Sequence, residues 1–257
     1  MNQAPTIYLT MKKIEGETIE WFILSMIILL LSIGTYQRNS LWNNEVELWK
    51  DCVKKSPLKE RTYHNLGFAY YELGRWDEAQ KGFEEALRLN PRYNLSMYNL
   101  GLVFYRKGSM DEAIPCYQKA IALNSSYPES YYNLGIAYYQ KGLFLRALQA
   151  YKKFLEYKPD YRNAHNSLGL AYKLLKQQNQ AIRSFQEELR YHPDNAYAHV
   201  YLGDTYSEME EYPKAVEHFK KALEDPHLPE AERIKEKVSF IERTLKQKQG
   251  KENGWKR

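Results

Sequence analysis

The chain has 257 residues, 44% apolar and 27% charged, a balance that belongs to a folded body and excludes a disordered or low-complexity chain. Tyrosine stands out at 23 residues against only 13 glycines and 10 prolines, so few breakers interrupt what reads as a set of regular, aromatic-rich helices. The formal net charge of +5 is gathered at one end: residues 230–257 hold nine Lys and Arg against five Asp and Glu, and the rest, nearly neutral, lacks the basic stripe a nucleic-acid partner requires.

Residues 1–18 read as a polar tail. Over 19–37 the chain turns apolar: the seventeen residues from Trp21 to Gln37 carry no charge and centre on Met26-Ile27-Ile28-Leu29-Leu30-Leu31. As a helix they reach about 26 Å, close to the ~30 Å of a hydrocarbon core. Trp21 and Tyr36 stand where interfacial aromatics belong, so the segment is expected to anchor the protein as a single transmembrane helix. Two other readings stay open. Lys12-Lys13 and the small-x-small run Ser32-Ile33-Gly34 fit a signal peptide cleaved before Thr35, although Glu15, Glu17 and Glu20 crowd its approach; a soluble helix packed on the following element is the other.

From there to residue 229 a fixed period governs. Leu-Gly recurs at Leu66-Gly67, Leu100-Gly101, Leu134-Gly135, Leu168-Gly169 and Leu202-Gly203, always 34 residues apart. Aligned on that pair, an aromatic stands at Tyr70, Phe104, Tyr138, Tyr172 and Tyr206, alanine at Ala79, Ala113, Ala147, Ala181 and Ala215, and a second aromatic at Phe83, Tyr117, Tyr151, Phe185 and Phe219. Proline follows at Pro91, Pro159 and Pro193. These columns resemble the tetratricopeptide repeat (TPR), with units at 60–93, 94–127, 128–161, 162–195 and 196–229. The resemblance implies an all-α superhelical solenoid of antiparallel helix pairs, in which glycine and alanine allow close approach and the aromatics fill the gap. Residues 40–57 fit the frame as a second helix only, with Trp49 and Pro57 in register and the apolar segment as its first-helix partner. Ser109 is placed as an N-cap, Pro213 in a first turn, and Pro115 later in its helix, where a distortion is expected. Residues 230–248 read as an amphipathic capping helix with Ile234, Val238, Ile241 and Leu245 on one stripe, and 249–257 as a frayed tail.

In the TPR superhelix the first helix of each repeat lines the concave side. The positions expected to face a partner are His64, Phe68, Tyr71 and Glu72; Tyr98, Leu102, Tyr105 and Arg106; Tyr132, Ile136, Tyr139 and Gln140; then Asn166, Leu170, Lys173 and Leu174. The first three repeats present an aromatic and apolar groove suited to a protein or peptide ligand. A packing-only role for these tyrosines is the competing reading. Asn65, Asn99 and Asn133 resemble the asparagine ladder of O-GlcNAc-transferase-type TPRs, which implies a grip on peptide backbone; the ladder stops at Ser167 and Tyr201. The carboxylate clamp of chaperone-type TPRs is missing, since Phe68 and Leu102 stand where it needs an amide.

No His-Glu-x-x-His, Gly-x-Ser-x-Gly or phosphate-loop motif occurs, so neither an enzyme, a cofactor nor a metal is expected. Cys52 and Cys116 form no C-x-x-C pair and read as small packing residues. The acidic pairs Glu84-Glu85 and Glu187-Glu188 read as solvated helix faces. The stretch Thr35 to Trp42, with Leu48-Trp49 and Lys54-Lys55-Ser56-Pro57, is similar to the junction between membrane helix and repeats in O-mannosyltransferase-like proteins. That resemblance implies an accessory module of a membrane glycosyltransferase with its repeats outside the cytoplasm; a secreted form released by signal peptidase is a further alternative.

Overall fold

A computed structural model describes residues 25–35 and 44–254. All regular structure among the described residues is helical, and the chain divides into two compact units, Met1–Asn90 and Pro91–Arg257.

The first unit contains a helix over residues 25–35 (α1), then α2 (Glu45–Lys55), α3 (Glu60–Glu72) and α4 (Trp76–Leu89). Asn44 caps α2, its side-chain oxygen accepting from the Glu47 N–H at 3.3 Å. Helices α2, α3 and α4 pack in sequence, with Ala69, Tyr70, Ala79, Phe83 and Ala86 closing the core. In α1 every described side chain is exposed, and its apolar residues Met26 to Leu31 and Ile33 are 45–66% exposed. Among the described residues no helix is long and apolar enough to cross a membrane. The rest of the expected 19–37 segment, and the 36–43 junction after it, lie outside the described residues.

The second unit is a run of helix pairs: α5 (Asn94–Arg106) with α6 (Met110–Leu123), α7 (Pro128–Gln140) with α8 (Phe144–Tyr157), α9 (Ala164–Leu174) with α10 (Gln178–Tyr191), and α11 (Ala196–Glu208) with α12 (Tyr212–Ala222). Each second helix also packs on the next first helix, and α5, α7, α9 and α11 touch one another in turn, whereas consecutive second helices hardly meet. The first helices therefore line the inner side of this unit, as the repeat pattern implies. The 34-residue columns are its core: Tyr117, Tyr151, Phe185 and Phe219 are buried, each against the glycine of the Leu-Gly pair on the facing helix. A Cβ built on Gly169 would stand 2.4 Å from Phe185 Cε1, so helices α9 and α10 close to this distance only because no side chain lies between them.

The turn between the helices of a pair repeats as well. Gly74, Gly108 and Gly142 have φ of +70° to +79°, and the next two positions in that column, Lys176 and Glu210, adopt φ of +59° and +60°. A side chain there costs about 1 kcal/mol per turn, so the last two repeats keep the turn geometry at a local cost the first three avoid.

Three local expectations are refined. Ser109 is the N-cap residue of α6, yet its side chain makes no capping hydrogen bond. Helix α6 runs through Pro115 from Met110 to Leu123, and Pro213 lies in the first turn of α12. The last helix, α13 (Ala231–Gly254), extends beyond the expected 248. It covers the open end of the stack with Ile234, Val238 and Ile241, and Lys220 pairs with Glu242 at 2.9 Å. Both cysteines are free thiols, Cys116 buried and Cys52 half-buried.

Candidate functional site

The expected partner-facing residues fall into two sets by unit. In the first, Phe68 is exposed and lies 6.3 Å from Tyr71 in near-parallel stacking; Tyr71 in turn packs on Trp76 at 5.1 Å. Asn65 is half-buried. His64 does not join this surface: it is 8% exposed, its ring 5.5 Å from Phe83.

In the second unit Leu102, Tyr105, Tyr132, Ile136 and Tyr139 are half-exposed on α5 and α7, and Leu170, packed on the next core cluster, is half-exposed on α9. Burial raises the pKa of the Tyr132 and Tyr139 phenols, keeping both as neutral hydroxyls that can donate and accept. Tyr98 and Asn99 depart from expectation. Tyr98 is 9% exposed, held between Tyr117 at 6.0 Å and Tyr127 at 5.0 Å, and Asn99 is buried beside it. Tyr127 lies in the loop that closes this repeat and leads into α7, and it covers Tyr98 as Tyr161 covers Tyr132 at 5.5 Å.

The polar ends of this strip tie neighbouring repeats together. Asn133 Nδ2 donates to Tyr98 Oη at 2.8 Å, Gln140 Nε2 donates to Tyr105 Oη at 3.0 Å, and the Tyr132 hydroxyl meets Ser167 Oγ at 3.3 Å. The asparagine ladder is therefore corrected: Asn99 is buried, and the Asn133 amide nitrogen is committed to a neighbouring repeat. What the strip offers a ligand is apolar and aromatic area from Leu102, Tyr105, Ile136, Tyr139 and Leu170.

Periodicity missed a second feature. Between α9 and α11 lies an open pocket of about 190 Å³ lined by Asn163, Asn166, Ser167, Leu170, Tyr197 and Tyr201. Behind it Glu188, expected on a solvated face, is fully buried; its Oε1 accepts from the Asn163 N–H and from Asn195 Nδ2, both at 2.8 Å. The signal was present: Glu188 occupies the column of Ala86, Ala120 and Ala222, all buried. A larger, open cleft of about 740 Å³ involves Arg162, Asp194, His199 and Lys221, but the Arg162–Asp194 pair at 2.8 Å already neutralises much of it. No group of three or more His, Cys, Asp or Glu among the described residues is arranged to hold a metal.

Family profiles described as tetratricopeptide repeat match residues 60–93, 128–161 and 179–229, and one described as TPR repeat matches 101–142. Among solved structures, MamA is 26% identical, with 62% of this chain and 93% of MamA covered at a TM-score of 0.60. YrrB, described as a TPR protein with an unusual peptide-binding site, is 21% identical over 74% of this chain and 99% of its own, TM-score 0.66. The C-terminal part of a TPR repeat-containing protein from Cytophaga hutchinsonii is 23% identical over 72% and 76%, TM-score 0.62. No curated protein sequence matches the chain.

Proposed function

Since this chain belongs to the tetratricopeptide-repeat proteins, we propose that it is a scaffold that holds a protein or peptide segment against the inner faces of its first helices. The observation that carries this reading is the strip Leu102, Tyr105, Ile136, Tyr139 and Leu170, half-exposed along three successive first helices. A partner segment laid there gains apolar contact from side chains whose phenols are already ordered by the fold, so little entropy is lost on binding. YrrB, a structure of the same fold, is described as having a peptide-binding site, which agrees with this use of the fold. The test is a crosslinking pull-down from intact cells with wild type and a Tyr105→Ala, Tyr139→Ala variant shown by circular dichroism to stay folded. A partner captured by wild type should fall by about ten-fold or more in the variant, as expected for losing two aromatic anchors. Equal capture sinks the groove.

The scaffold is tethered to a membrane through the apolar segment over 19–37. Supporting this is α1, whose apolar side chains face outward all round and find no protein core in the described structure. The full chain should stay in the pellet when membranes are washed with alkaline carbonate, and a chain beginning at Asn44 should leave it; release of both would remove the anchor. The repeats are assigned to the extracytoplasmic side, and the accessory-module alternative rests on the same junction resemblance.

A further inference from the structure

Four residues of the second unit break the repeat's own columns together. Where three repeats carry His64, Tyr98 and Tyr132, the fourth has Asn166; where three carry Ala86, Ala120 and Ala222, it has Glu188. The loop position of Tyr93, Tyr127 and Tyr161 becomes Asn195, and Asn163 precedes α9 in a left-handed conformation with φ of +67°. These substitutions meet in space. Asn195 Nδ2 donates to Glu188 Oε1 and to Asn163 Oδ1, each at 2.8 Å, while its own oxygen caps α11 by accepting from the Ala198 N–H at 3.3 Å. Asn166 Nδ2 donates to Asn163 Oδ1 at 3.2 Å.

The network is short of donors. Asn166 is 3% exposed and its Oδ1 accepts nothing; Glu188 is fully buried and its Oε2 accepts nothing. Leaving two buried acceptors unpaired, one on a carboxylate, is costly, and such breaks of local rule gather at functional sites. Asn166 lines the 190 Å³ pocket, and Asn163 forms the wall between that pocket and Glu188. The other walls are Leu170, Ser167 and the rings of Tyr197 and Tyr201, whose centroids are 6.4 Å apart. Neither Lys nor Arg lines it. Arg162, next to Asn163 in the chain, gives its guanidinium nitrogens to Asp194. Ser167 donates to the Asn163 carbonyl at 3.0 Å.

We propose that this pocket is a subsite for a lysine side chain of the bound partner, its alkyl stem along Leu170 and the Tyr197 and Tyr201 rings, its ammonium beside the Asn166 amide, which turns to bring its enclosed Oδ1 to the charge, in front of Glu188. An ammonium supplies three donors and a positive charge, which is what the two acceptors, the carboxylate and the aromatic faces lack. The assignment rests on the inner face being the binding surface, and it deepens that reading by naming one anchor of the partner.

The test uses the full chain, labelled with ¹⁵N, titrated with the methylamides of N-acetyl-lysine, N-acetyl-norleucine and N-acetyl-arginine. The amides of Asn163 and Tyr201 are the reporters. The lysine compound should give saturable shifts there, with norleucine about ten-fold weaker, the loss expected when a cation contact of about 1.4 kcal/mol is removed. Glu188→Gln should bring lysine down to the level of norleucine. Asn166→Tyr, which restores the residue of the two preceding repeats and fills the pocket, should abolish both; this variant is expected to fold even if Glu188→Gln does not. Equal binding of lysine and norleucine, stronger binding of arginine than lysine, or no shift at either reporter overturns the subsite. Because these probes do not touch Tyr105 or Tyr139, that failure is separable from loss of partner capture in the Tyr105→Ala, Tyr139→Ala variant.

Discussion

Phe185→Ala is expected to destabilise the second unit by about 3–5 kcal/mol, the range for emptying a fully buried aromatic site. The ring fills the space between α9 and α10, touches Tyr201 at 5.4 Å between centroids, and belongs to the core that continues through Phe219 to Ile234 on α13. Gly169→Ala should cost about 1–3 kcal/mol for the opposite reason, overpacking, because its Cβ would land 2.4 Å from a ring atom that is buried on every side and has nowhere to move. The two effects must not add. With Phe185 already reduced to alanine the obstacle is gone, and Gly169→Ala should then stabilise by up to about 1 kcal/mol, the helix-propensity difference between the two residues. Urea melts of the two single variants and the double variant measure this coupling; an unchanged cost of Gly169→Ala in both backgrounds would show that the glycine column is not there for the aromatic.

The same interlock explains how much of this molecule was legible in its sequence. Contacts between columns at a fixed offset recur in every repeat, so the period marks the buried aromatics, while the pairing of helices and the inner placement of the first helices came with the resemblance to the tetratricopeptide repeat that the period reveals. What periodicity misjudged depends on a neighbour from another part of the chain. His64 and Tyr98 share a helix face with Tyr71 and Tyr105, yet they are buried. For Tyr98 the cause is Tyr127, in the loop that closes the same repeat and leads into α7, whose position over the ring no single-helix projection contains. Asn133 was legible as a groove amide but not as a donor to Tyr98, since that bond crosses from one repeat to the next. Glu188 was misread for a different reason: taken with Glu187 as a charged pair it suggests a wet face, whereas taken in its column it stands in a slot that elsewhere admits only alanine or Phe154. Of the expected site residues, Phe68, Tyr71, Leu102, Tyr105, Tyr132, Ile136 and Tyr139 present surface, whereas His64, Tyr98 and Asn99 are buried.

His64 also sets a pH limit on the first unit. Its burial against Phe83 lowers the imidazole pKa from 6.5 to about 4, so the folded chain holds the ring neutral where the unfolded chain would protonate it. The sign follows: above pH 6.5 both states are neutral and the ring carries no penalty. Below 6.5 the unfolded state gains the proton first, and stability falls until the folded state also binds it near pH 4, by at most about 3 kcal/mol. The carboxyls of Glu78 and Glu85, drawn below their ordinary range by hydrogen bonds from Arg75 and Arg88, are exposed and act at lower pH, so they leave this window to the histidine. His199 and His218, 3.0 Å apart through their Nδ1 atoms and both lowered by burial, lie in the other unit. Four of the five tryptophans, Trp49 and Trp76 among them, fall within the first unit and the fifth is Trp255, so in a Trp255→Phe background tryptophan fluorescence isolates the first unit's unfolding. Wild type should lose urea resistance between pH 7 and pH 4.5 by this probe, and His64→Phe, which supplies an aromatic of the kind the next two repeats carry, should lose far less. Parallel loss in both proteins would mean that another group sets the limit, and that the buried imidazole is protonated without cost.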